Sequence, residues 1–206
     1  IFIMDGPELI SKDPLIHEFK SFINIAICRH IIDVAKDKMK RAKVCGEKQG
    51  FISKNRNNSH CWIPLTQDKI FKDLSSRIAI FLKKEISTAE NFQIIHYSQG
   101  EEYKPHFDAW LVDGSDKSRR VLKKGGQRIY TALCYLNNVE EGGITFFPEV
   151  PLKIQPEKGK LIIFKNTIGD THIRDTRSLH GSLPVLKGEK WAFNLWFREK
   201  EPYRSV

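Results

Sequence analysis

The chain has 206 residues, of which 40% are hydrophobic and 29% are charged, a composition typical of a soluble globular protein. This length is enough for one domain with a core of its own. No apolar run approaches the roughly 20 residues that a membrane-spanning helix needs, and no signal peptide opens the sequence. We therefore expect a cytoplasmic protein with no membrane contact, although a targeting segment upstream of Ile1 would change that expectation.

The net charge of +9 permits binding to nucleic acid or to acidic partners. The lysines are spread along the whole chain, however, as on an ordinary solvated surface, so we do not expect a nucleic-acid substrate. The four cysteines, Cys28, Cys45, Cys61 and Cys134, show no Cys-x-x-Cys spacing. This argues against a zinc ribbon or a disulfide framework and predicts free thiols. We also expect the chain to act as a monomer.

Two helices are predicted in the first ninety residues. Apolar residues recur at helical spacing over about Pro14–Ala42, and a second stripe covers about Thr66–Ile86, with Thr66 as the candidate N-cap. The segment between them, Gly46–Pro64, is polar and lacks periodicity. It therefore reads as a loop that contains at most one short strand.

From about Phe92 onward, the pattern changes to short β-type runs separated by turn signals. The predicted strands are Phe92–Tyr97, His106–Trp110, Gln127–Tyr135, Gly143–Phe146, Leu152–Ile154, Lys160–Phe164, His180–Val185 and Trp191–Phe197. Many short strands at regular spacing indicate a barrel or jelly roll, with the preceding helices packed on one face. We expect one domain over residues 1–206, with mainly helical support at 1–90 and a β core at 91–200.

The last predicted strand has two distinct faces, since neighbouring side chains of a strand project to opposite sides. Lys190, Asn194 and Trp196 lie on one face, and apolar side chains such as Trp191 and Phe193 lie on the other. The apolar face suits packing against helices. The face with a cation, an amide and an indole suits the lining of a pocket inside the barrel.

A metal site is indicated by His106, Asp108 and His180, with Lys190 ten positions beyond His180. Residues i and i+2 of a strand share a face, so one ion could take both His106 and Asp108. A hairpin at Lys187-Gly188 would place His180 and Lys190 in one pocket on neighbouring antiparallel strands. Two imidazoles and one carboxylate form the facial ligand set of non-haem iron(II) oxygenases, and the lysine would hold the carboxylate of an organic co-substrate. A His-x-Asp pair alone is a weak signal, so this interpretation depends on the four residues occurring together.

Longer motifs surround these residues. They are His96-Tyr97 with Gly100, Tyr103-Lys104-Pro105-His106-Phe107-Asp108, Gly125-Gly126-Gln127-Arg128, Thr131-Ala132-Leu133-Cys134-Tyr135-Leu136, Glu140-Glu141-Gly142-Gly143-Ile144-Thr145-Phe146-Phe147-Pro148, Ser178-Leu179-His180-Gly181, Pro184-Val185 and Lys190-Trp191. With these motifs, the stretch from about Ile94 to Arg198 resembles the catalytic domain of the prolyl 4-hydroxylases, within the iron(II)/2-oxoglutarate dioxygenases. A weaker likeness extends to Arg56-Asn57-Asn58-Ser59. The resemblance implies a double-stranded β-helix, or distorted jelly roll, flanked by N-terminal helices.

The resemblance also implies roles for the matching positions. His106, Asp108 and His180 would bind iron(II), and Lys190 would pair with the distal carboxylate of 2-oxoglutarate. Lysine at position 190 favours the prolyl hydroxylase branch, because the nucleic-acid demethylase branch typically has arginine there.

Five further positions are assigned by the same resemblance. The hydroxyls of Tyr97 and Thr131 would help to hold the 2-oxoglutarate carboxylate, and Tyr103 and Trp196 would line the site near a peptide substrate. Where the family often has a histidine two residues after Trp196, this chain has Arg198. The predicted substrate contact of Arg198 is therefore the point at which the likeness is weakest.

The implied activity is hydroxylation of prolyl residues in a peptide or protein, with iron(II), 2-oxoglutarate and dioxygen, release of succinate and carbon dioxide, and ascorbate as a further candidate cofactor. Two alternatives stay open: the same chemistry on a free amino acid, small molecule or nucleic acid base, and a catalytically silent binding module. The loops Leu111–Gly126 and Gly46–Pro64 are the segments that we expect to clamp a peptide over the site.

Overall fold

The computed structural model of the chain describes residues 6–42 and 57–202. Within these ranges the strands β1 to β14, in chain order, are Glu8–Lys12, Leu15–Phe19, Lys40–Arg41, Ser59–Ile63, Phe92–Tyr97, Tyr103–His106, Arg128–Tyr135, Glu141–Gly142, Thr145–Phe147, Leu152–Ile154, Leu161–Lys165, His180–Ser182, Val185–Lys187 and Lys190–Arg198. The helices α1 to α3 are Ile25–Ala35, Lys69–Leu82 and Asp116–Leu122, and short 3₁₀ turns occupy Lys36–Lys38, Ile86–Thr88 and Thr176–Ser178.

The strands form two principal antiparallel sheets. The large sheet has eight strands in the order β1-β2-β11-β7-β14-β5-β4-β3, and the small sheet has the order β10-β9-β12-β6. A separate pair joins β13 to β8. The predicted jelly roll, or double-stranded β-helix, is confirmed by this arrangement.

One face of the large sheet carries the helices. Phe193, Leu195 and other outward side chains of β14 share an apolar cluster with buried residues of α1 and α2, among them Ile31, Phe71 and Leu74. The other face encloses a second cluster with the small sheet, which includes Phe147 and Tyr135. The two faces predicted for β14 are thus confirmed, and the functional side chains belong to the inner one.

The first predicted helix, Pro14–Ala42, is wrong over most of its length. Only Ile25–Ala35 is α-helical, whereas Leu15–Phe19 is a strand that pairs with β11. Ile16 and Phe19 are both buried, but in the inner and outer clusters respectively. Pairing with β11 supplies backbone hydrogen bonds and burial, and this tertiary context overrides the local helical spacing. The described part of residues 1–90 is therefore a mixture of strand and helix.

The second predicted helix is confirmed with shorter bounds. Its N-cap is Asp68 rather than Thr66, because the Asp68 carboxylate accepts hydrogen bonds from the backbone N–H groups of Ile70 and Phe71 at 2.7 and 3.2 Å. The helix ends at Leu82, where Lys83 takes a left-handed conformation with φ of 51°.

The predictions for the two loops and for the cysteines are confirmed in part. The segment 46–64 contains one strand, Ser59–Ile63, although residues 43–56 lie outside the described ranges. The predicted loop Leu111–Gly126 contains the helix Asp116–Leu122. Cys28, Cys61 and Cys134 are free thiols, and Cys45 is not among the described residues. In the described part of the chain, no helix is long and apolar enough to cross a membrane.

Candidate active site

His106, Asp108 and His180 converge between the two sheets. His106 ends β6 and His180 begins β12, and the two lie directly opposite each other in the antiparallel register. Asp108 Oδ1 is 3.9 Å from His106 Nε2, and Asp108 Oδ2 is 3.6 Å from His180 Nε2. One ligand atom from each residue lies within 4.8 Å of the others. The three side chains can therefore coordinate a single ion.

These residues meet, but not through the geometry predicted from strand alternation. The strand predicted at His106–Trp110 is not formed: β6 ends at His106, and a bend carries Asp108 toward the histidines. The predicted hairpin is also wrong, because β13 pairs with β8 while Lys190 begins β14 in the opposite sheet. His180 and Lys190 line one cavity from two facing sheets.

Both histidine rings are oriented by backbone carbonyl groups. His106 Nδ1 lies 2.9 Å from the carbonyl oxygen of Lys104, and His180 Nδ1 lies 2.9 Å from that of Ser178. A carbonyl oxygen only accepts hydrogen bonds, so Nδ1 carries the proton in each ring and the lone pair of Nε2 is left for a metal. Tyr103 stacks on His106, with ring centroids 3.5 Å apart. This contact further fixes the plane of the imidazole.

The Asp108 carboxylate is held by two donors of the large sheet. Thr131 Oγ1 donates to Asp108 Oδ2 at 2.7 Å, and the Trp196 indole Nε1 donates to the same oxygen at 2.9 Å. Burial alone would raise the pKa of Asp108, but the nearby His180 and His106 lower it to about 2. The carboxylate is thus ionised at neutral pH, with Oδ1 left by these two donors to face a metal.

The role predicted for Thr131 is wrong. Its hydroxyl hydrogen goes to Asp108 rather than to a co-substrate carboxylate, and its oxygen accepts a hydrogen bond of 2.8 Å from Asn166 Nδ2. Thr131 does not line the cavity that contains Lys190. Asn166 and Thr131 instead form a buried relay behind the metal ligand, and strand alternation could not distinguish this position from one beside Lys190.

Lys190 is a buried cation at the other end of the inner face of β14. Its Nζ donates to the carbonyl oxygen of Gly143 at 2.7 Å and to Ser182 Oγ at 2.8 Å, with Thr145 Oγ1 at 3.5 Å. Burial lowers the pKa of Lys190 to about 7. Among the described residues, no carboxylate forms an ion pair with it, so the group is placed to receive an anion.

The neighbours of Lys190 were only partly foreseen. Tyr97 pairs with it across β5 and β14, and Lys190 Nζ lies 5.3 Å from the centre of the Tyr97 ring. That Tyr97 contributes its hydroxyl to a bound carboxylate stays a prediction. Ser182 and Thr145 were not predicted as neighbours of Lys190. Ser182 follows His180 by two positions on β12, so strand alternation would have placed Ser182 in the pocket beside His180.

Iron(II) and 2-oxoglutarate fit the residues present. Two imidazole Nε2 atoms and one ionised carboxylate are the ligand set of facial iron sites, which leave coordination positions for other ligands. Lys190 and the hydroxyl groups of Ser182 and Thr145 can donate hydrogen bonds to the distal carboxylate of 2-oxoglutarate. Among the described residues, no carboxylate of the protein competes for Lys190 through an ion pair. His106, Asp108 and His180 would hold the metal, and Lys190 would hold the far end of the acid.

The cavity between these groups has a volume of about 430 Å³. Tyr103 and Trp196 line it, as predicted, together with Trp62, Trp110 and Arg128. This volume exceeds the needs of a five-carbon acid alone, so space remains for part of a substrate.

Arg198 does not line the cavity, and the substrate contact predicted for it is wrong. A register shift between Phe197 and Arg198 interrupts the pairing of β14 with β7. The Arg198 guanidinium is buried, and its Nε lies 2.7 Å from Glu90 Oε1. Glu90 was not recognised in the sequence, since a lone glutamate in a loop carries no distinguishing pattern.

The fold and the site define the class of the protein. Residues 92–198 match the family model of the 2OG-Fe(II) oxygenase superfamily. The chain is 32% identical to probable prolyl 4-hydroxylase 10 of Arabidopsis thaliana, over 94% of this chain and 72% of the relative. It is 33% identical to prolyl 4-hydroxylase 5 of the same plant, with the same coverage of both chains.

A solved structure supports the same conclusion. The 2OG complex of the viral collagen prolyl hydroxylase from Paramecium Bursaria Chlorella virus-1 superposes with a TM-score of 0.72 and 28% identity, covering 89% of this chain and 95% of the viral one. The chain belongs to the prolyl 4-hydroxylase family, and it is an iron(II)- and 2-oxoglutarate-dependent dioxygenase of the prolyl hydroxylase type.

Proposed function

We propose that the natural substrate of this chain is a prolyl residue within a peptide or protein. The main supporting observation is that the cavity has two chemically different ends along β14, one at Lys190 and one at Trp196. Lys190 and Trp196 are six residues apart on the strand, or roughly 20 Å. Trp62 and Arg128 both contact Trp196, with a ring centroid distance of 5.9 Å and a guanidinium-to-ring distance of 3.6 Å.

This aromatic and cationic end of the cavity suits a proline in a polypeptide. Indole faces pack well against the flat pyrrolidine ring, and aromatic-lined grooves are a common mode of binding proline-containing segments. Trp62 is 44% exposed although it lines the cavity, so the aromatic surface continues to the outside. A chain longer than a single amino acid can therefore extend from the site.

The residues of the chain orient the reactants and exclude water. Bound iron and 2-oxoglutarate supply, with dioxygen, the oxidising capacity for inserting a hydroxyl group into a C–H bond of the substrate. Lys190 fixes the far carboxylate of the acid in a buried environment, where the attraction between opposite charges is stronger than in water. Thr131 and Trp196 keep Asp108 ionised and oriented. Placing reactants in a fixed geometry is itself a large contribution to rate.

The test is mass spectrometry of products from a panel of proline-containing peptides, incubated with iron(II), 2-oxoglutarate and oxygen. The expected product is a peptide 16 Da heavier at proline, formed together with succinate in a ratio of about one to one, because one substrate hydroxylation accompanies each productive decarboxylation. Free proline and single-stranded oligonucleotides serve as the alternative substrates. Succinate formation that is stimulated by these compounds and by no peptide would overturn the proposal.

The metal assignment has its own control pair. The H180A variant should lose succinate formation, because it removes a ligand from the facial set. The H172A variant should retain it, since the His172 side chain is exposed and lies outside the cavity. Sustained succinate formation by H180A would show that the triad does not carry the reaction.

We also propose that segment 111–126 covers the peptide. The Gln127 side chain holds the two ends of this segment together. It accepts a hydrogen bond from the Trp110 backbone N–H and donates one to the Trp110 carbonyl oxygen, both at 2.8 Å. Leu111 and Val112 are exposed directly after Trp110, a cavity residue. Replacing residues 112–124 by a short glycine-serine linker should weaken peptide turnover but leave peptide-independent 2-oxoglutarate consumption. Equal peptide turnover with the linker would contradict this role.

A further inference from the structure

Glu90 joins two arginine side chains behind the aromatic end of the cavity. Arg128 binds it through a two-pronged contact, with Nε 2.6 Å from Oε1 and Nη2 2.8 Å from Oε2. Arg198 Nε lies 2.7 Å from the same Oε1. All three side chains are shielded, with exposed fractions of 12% for Glu90, 15% for Arg128 and 6% for Arg198. At this burial, the geometry of each contact matters more than in a surface ion pair.

Arg198 is anchored on its far side as well. Its Nη1 donates to the carbonyl oxygen of Gly126 at 2.7 Å, and its guanidinium carbon lies 4.6 Å from the centre of the Trp110 ring. The pairing register of β14 shifts between Phe197 and Arg198. Arg198 therefore does not line the cavity, although Trp196, two residues earlier, does. Arg198 therefore reaches the cavity only through Glu90 and Trp110.

Arg128 is the member of the group that meets the cavity. Its guanidinium lies 3.6 Å from the centre of the Trp196 ring and 4.9 Å from that of Trp110. Glu90 takes Nε and Nη2, and Nη1 lies outside this two-pronged contact on a side chain that lines the cavity. Nη1 is thus the N–H-bearing atom that Arg128 can offer to a ligand in the cavity.

Sharing one carboxylate between two guanidinium groups has an electrostatic consequence. The Asp108 carboxylate also interacts with Arg128. A Glu90–Arg128 pair alone is neutral, and Arg198 adds one positive charge to this buried group. That charge favours a ligand oxygen with partial negative charge, such as the carbonyl of a peptide bond. The stacking on Trp196 and Trp110 restricts Arg128 to one plane, so its remaining N–H has a fixed direction.

We propose that Arg198 is a positioning residue for peptide binding: through Glu90, it holds Arg128 so that the guanidinium donates to a backbone carbonyl of the substrate. The proposal rests on the proposed function, since it assumes a polypeptide substrate. Arg198 itself touches neither the substrate nor the reacting atoms. Its effect is expected on peptide affinity and not on the binding of 2-oxoglutarate, which lies at the Lys190 end of β14.

The experiment compares R198Q, R198K, E90Q and the double variant E90Q/R198Q with the wild-type enzyme. R198Q should raise the KM for a peptide substrate about tenfold, the effect of losing one good hydrogen bond to a charged group. The KM for 2-oxoglutarate and the kcat at saturating peptide should stay within about twofold of wild type, because the contacts of Lys190 and the metal ligands are unchanged. R198K should give an intermediate peptide KM, because lysine restores the charge but not the second contact to Gly126.

A second readout separates positioning from general damage. Peptide affinity is titrated without oxygen on protein loaded with iron(II) and 2-oxoglutarate, and the dissociation constant should rise by the same factor as the peptide KM. In the double variant, the loss should equal that of E90Q alone, because Arg198 acts through Glu90. R29Q is the matched control, since Arg29 is an exposed arginine of α1 remote from the site.

Each outcome decides a different question. An unchanged peptide affinity in R198Q and R198K overturns the positioning role while the hydroxylase activity of the wild type stands. The same holds for a general loss of function, in which thermal stability and kcat fall and the KM values for peptide and for 2-oxoglutarate rise together. A wild-type enzyme that neither binds nor hydroxylates any proline peptide overturns the proposed substrate, and this inference with it. If R198Q does not fold, R198K alone carries the comparison.

Discussion

The Trp196 indole donates a hydrogen bond of 2.9 Å to Oδ2 of Asp108, so the final strand of the large sheet directly holds a metal ligand. Outer partners of this kind orient a ligand and commonly contribute 10- to 100-fold to metal affinity. W196F should therefore bind iron(II), or cobalt(II) as a spectroscopic substitute, about tenfold more weakly.

The control for this variant lies on the same strand. Trp191 is on the opposite face of β14, in the outer cluster, so W191F changes a buried indole without touching Asp108. Anaerobic metal titration of both variants should show the loss only in W196F. Equal affinities in the two variants would mean that the indole hydrogen bond contributes nothing to metal binding.

The pH dependence of 2-oxoglutarate binding should report on Lys190. Burial lowers the pKa of its ammonium group to about 7, and only the protonated form attracts a carboxylate. Above pH 7, the KM for 2-oxoglutarate should therefore rise, approaching a factor of about ten per pH unit. K190R should have a KM that is flat from pH 7 to 9, whatever its absolute value, because arginine stays protonated there. A flat wild-type profile over this range would contradict the assignment.

Protein stability in the absence of co-substrate should change with pH in the opposite sense. An unfolded lysine keeps its proton up to its ordinary pKa near 10.5, whereas folded Lys190 begins to lose it near pH 7. Between these values the unfolded state binds more protons, so the free energy of unfolding should rise as pH increases. Urea denaturation at pH 7 and pH 9 should show this gain for wild type relative to K190M, which has no such titration. A difference that stays constant or falls would refute the argument.

The cap of α2 provides a test of the fold that is separate from the chemistry. Asp68 accepts two backbone N–H groups at the start of the helix and contacts His30 Nε2 at 2.7 Å. D68A should lower the free energy of unfolding by about 1–2 kcal/mol, within the range for a lost N-cap. D73A, in an exposed i,i+4 pair with Lys69, should change it by no more than about 0.5 kcal/mol. Equal losses in the two variants would show that the cap has no special weight.

The sequence predicted which residues form the metal site better than it predicted how they meet. The residue types of His106, Asp108 and His180 limit their chemistry strongly, so their assignment did not depend on the exact strand bounds. Alternation correctly divided the two faces of β14, because a long central strand is regular. It failed at Asp108, which follows the end of β6, and a bend has no fixed periodicity.

The errors elsewhere share a physical cause. The strand Leu15–Phe19 exists because β11 offers a free edge far away in the chain, and local spacing holds no information about that partner. Thr131 and Arg198 were assigned to ligands, yet both are bound to carboxylates of the protein itself. A single sequence shows which donors are available but not which acceptor each one reaches after folding.

The two sheets together set the distance between the metal site and Lys190, and so the length of the co-substrate that can bind both. The histidine ligands stand on the small sheet, the metal-binding carboxylate is tied to the large sheet through Thr131 and Trp196, and Lys190 of the large sheet reaches across to Ser182 of the small one. The two groups that would bind a dicarboxylic acid, the metal site and Lys190, therefore each depend on side chains from both sheets. Their separation is set by the packing of the whole inner core, so a dicarboxylic acid shorter or longer by one carbon would lose one anchor.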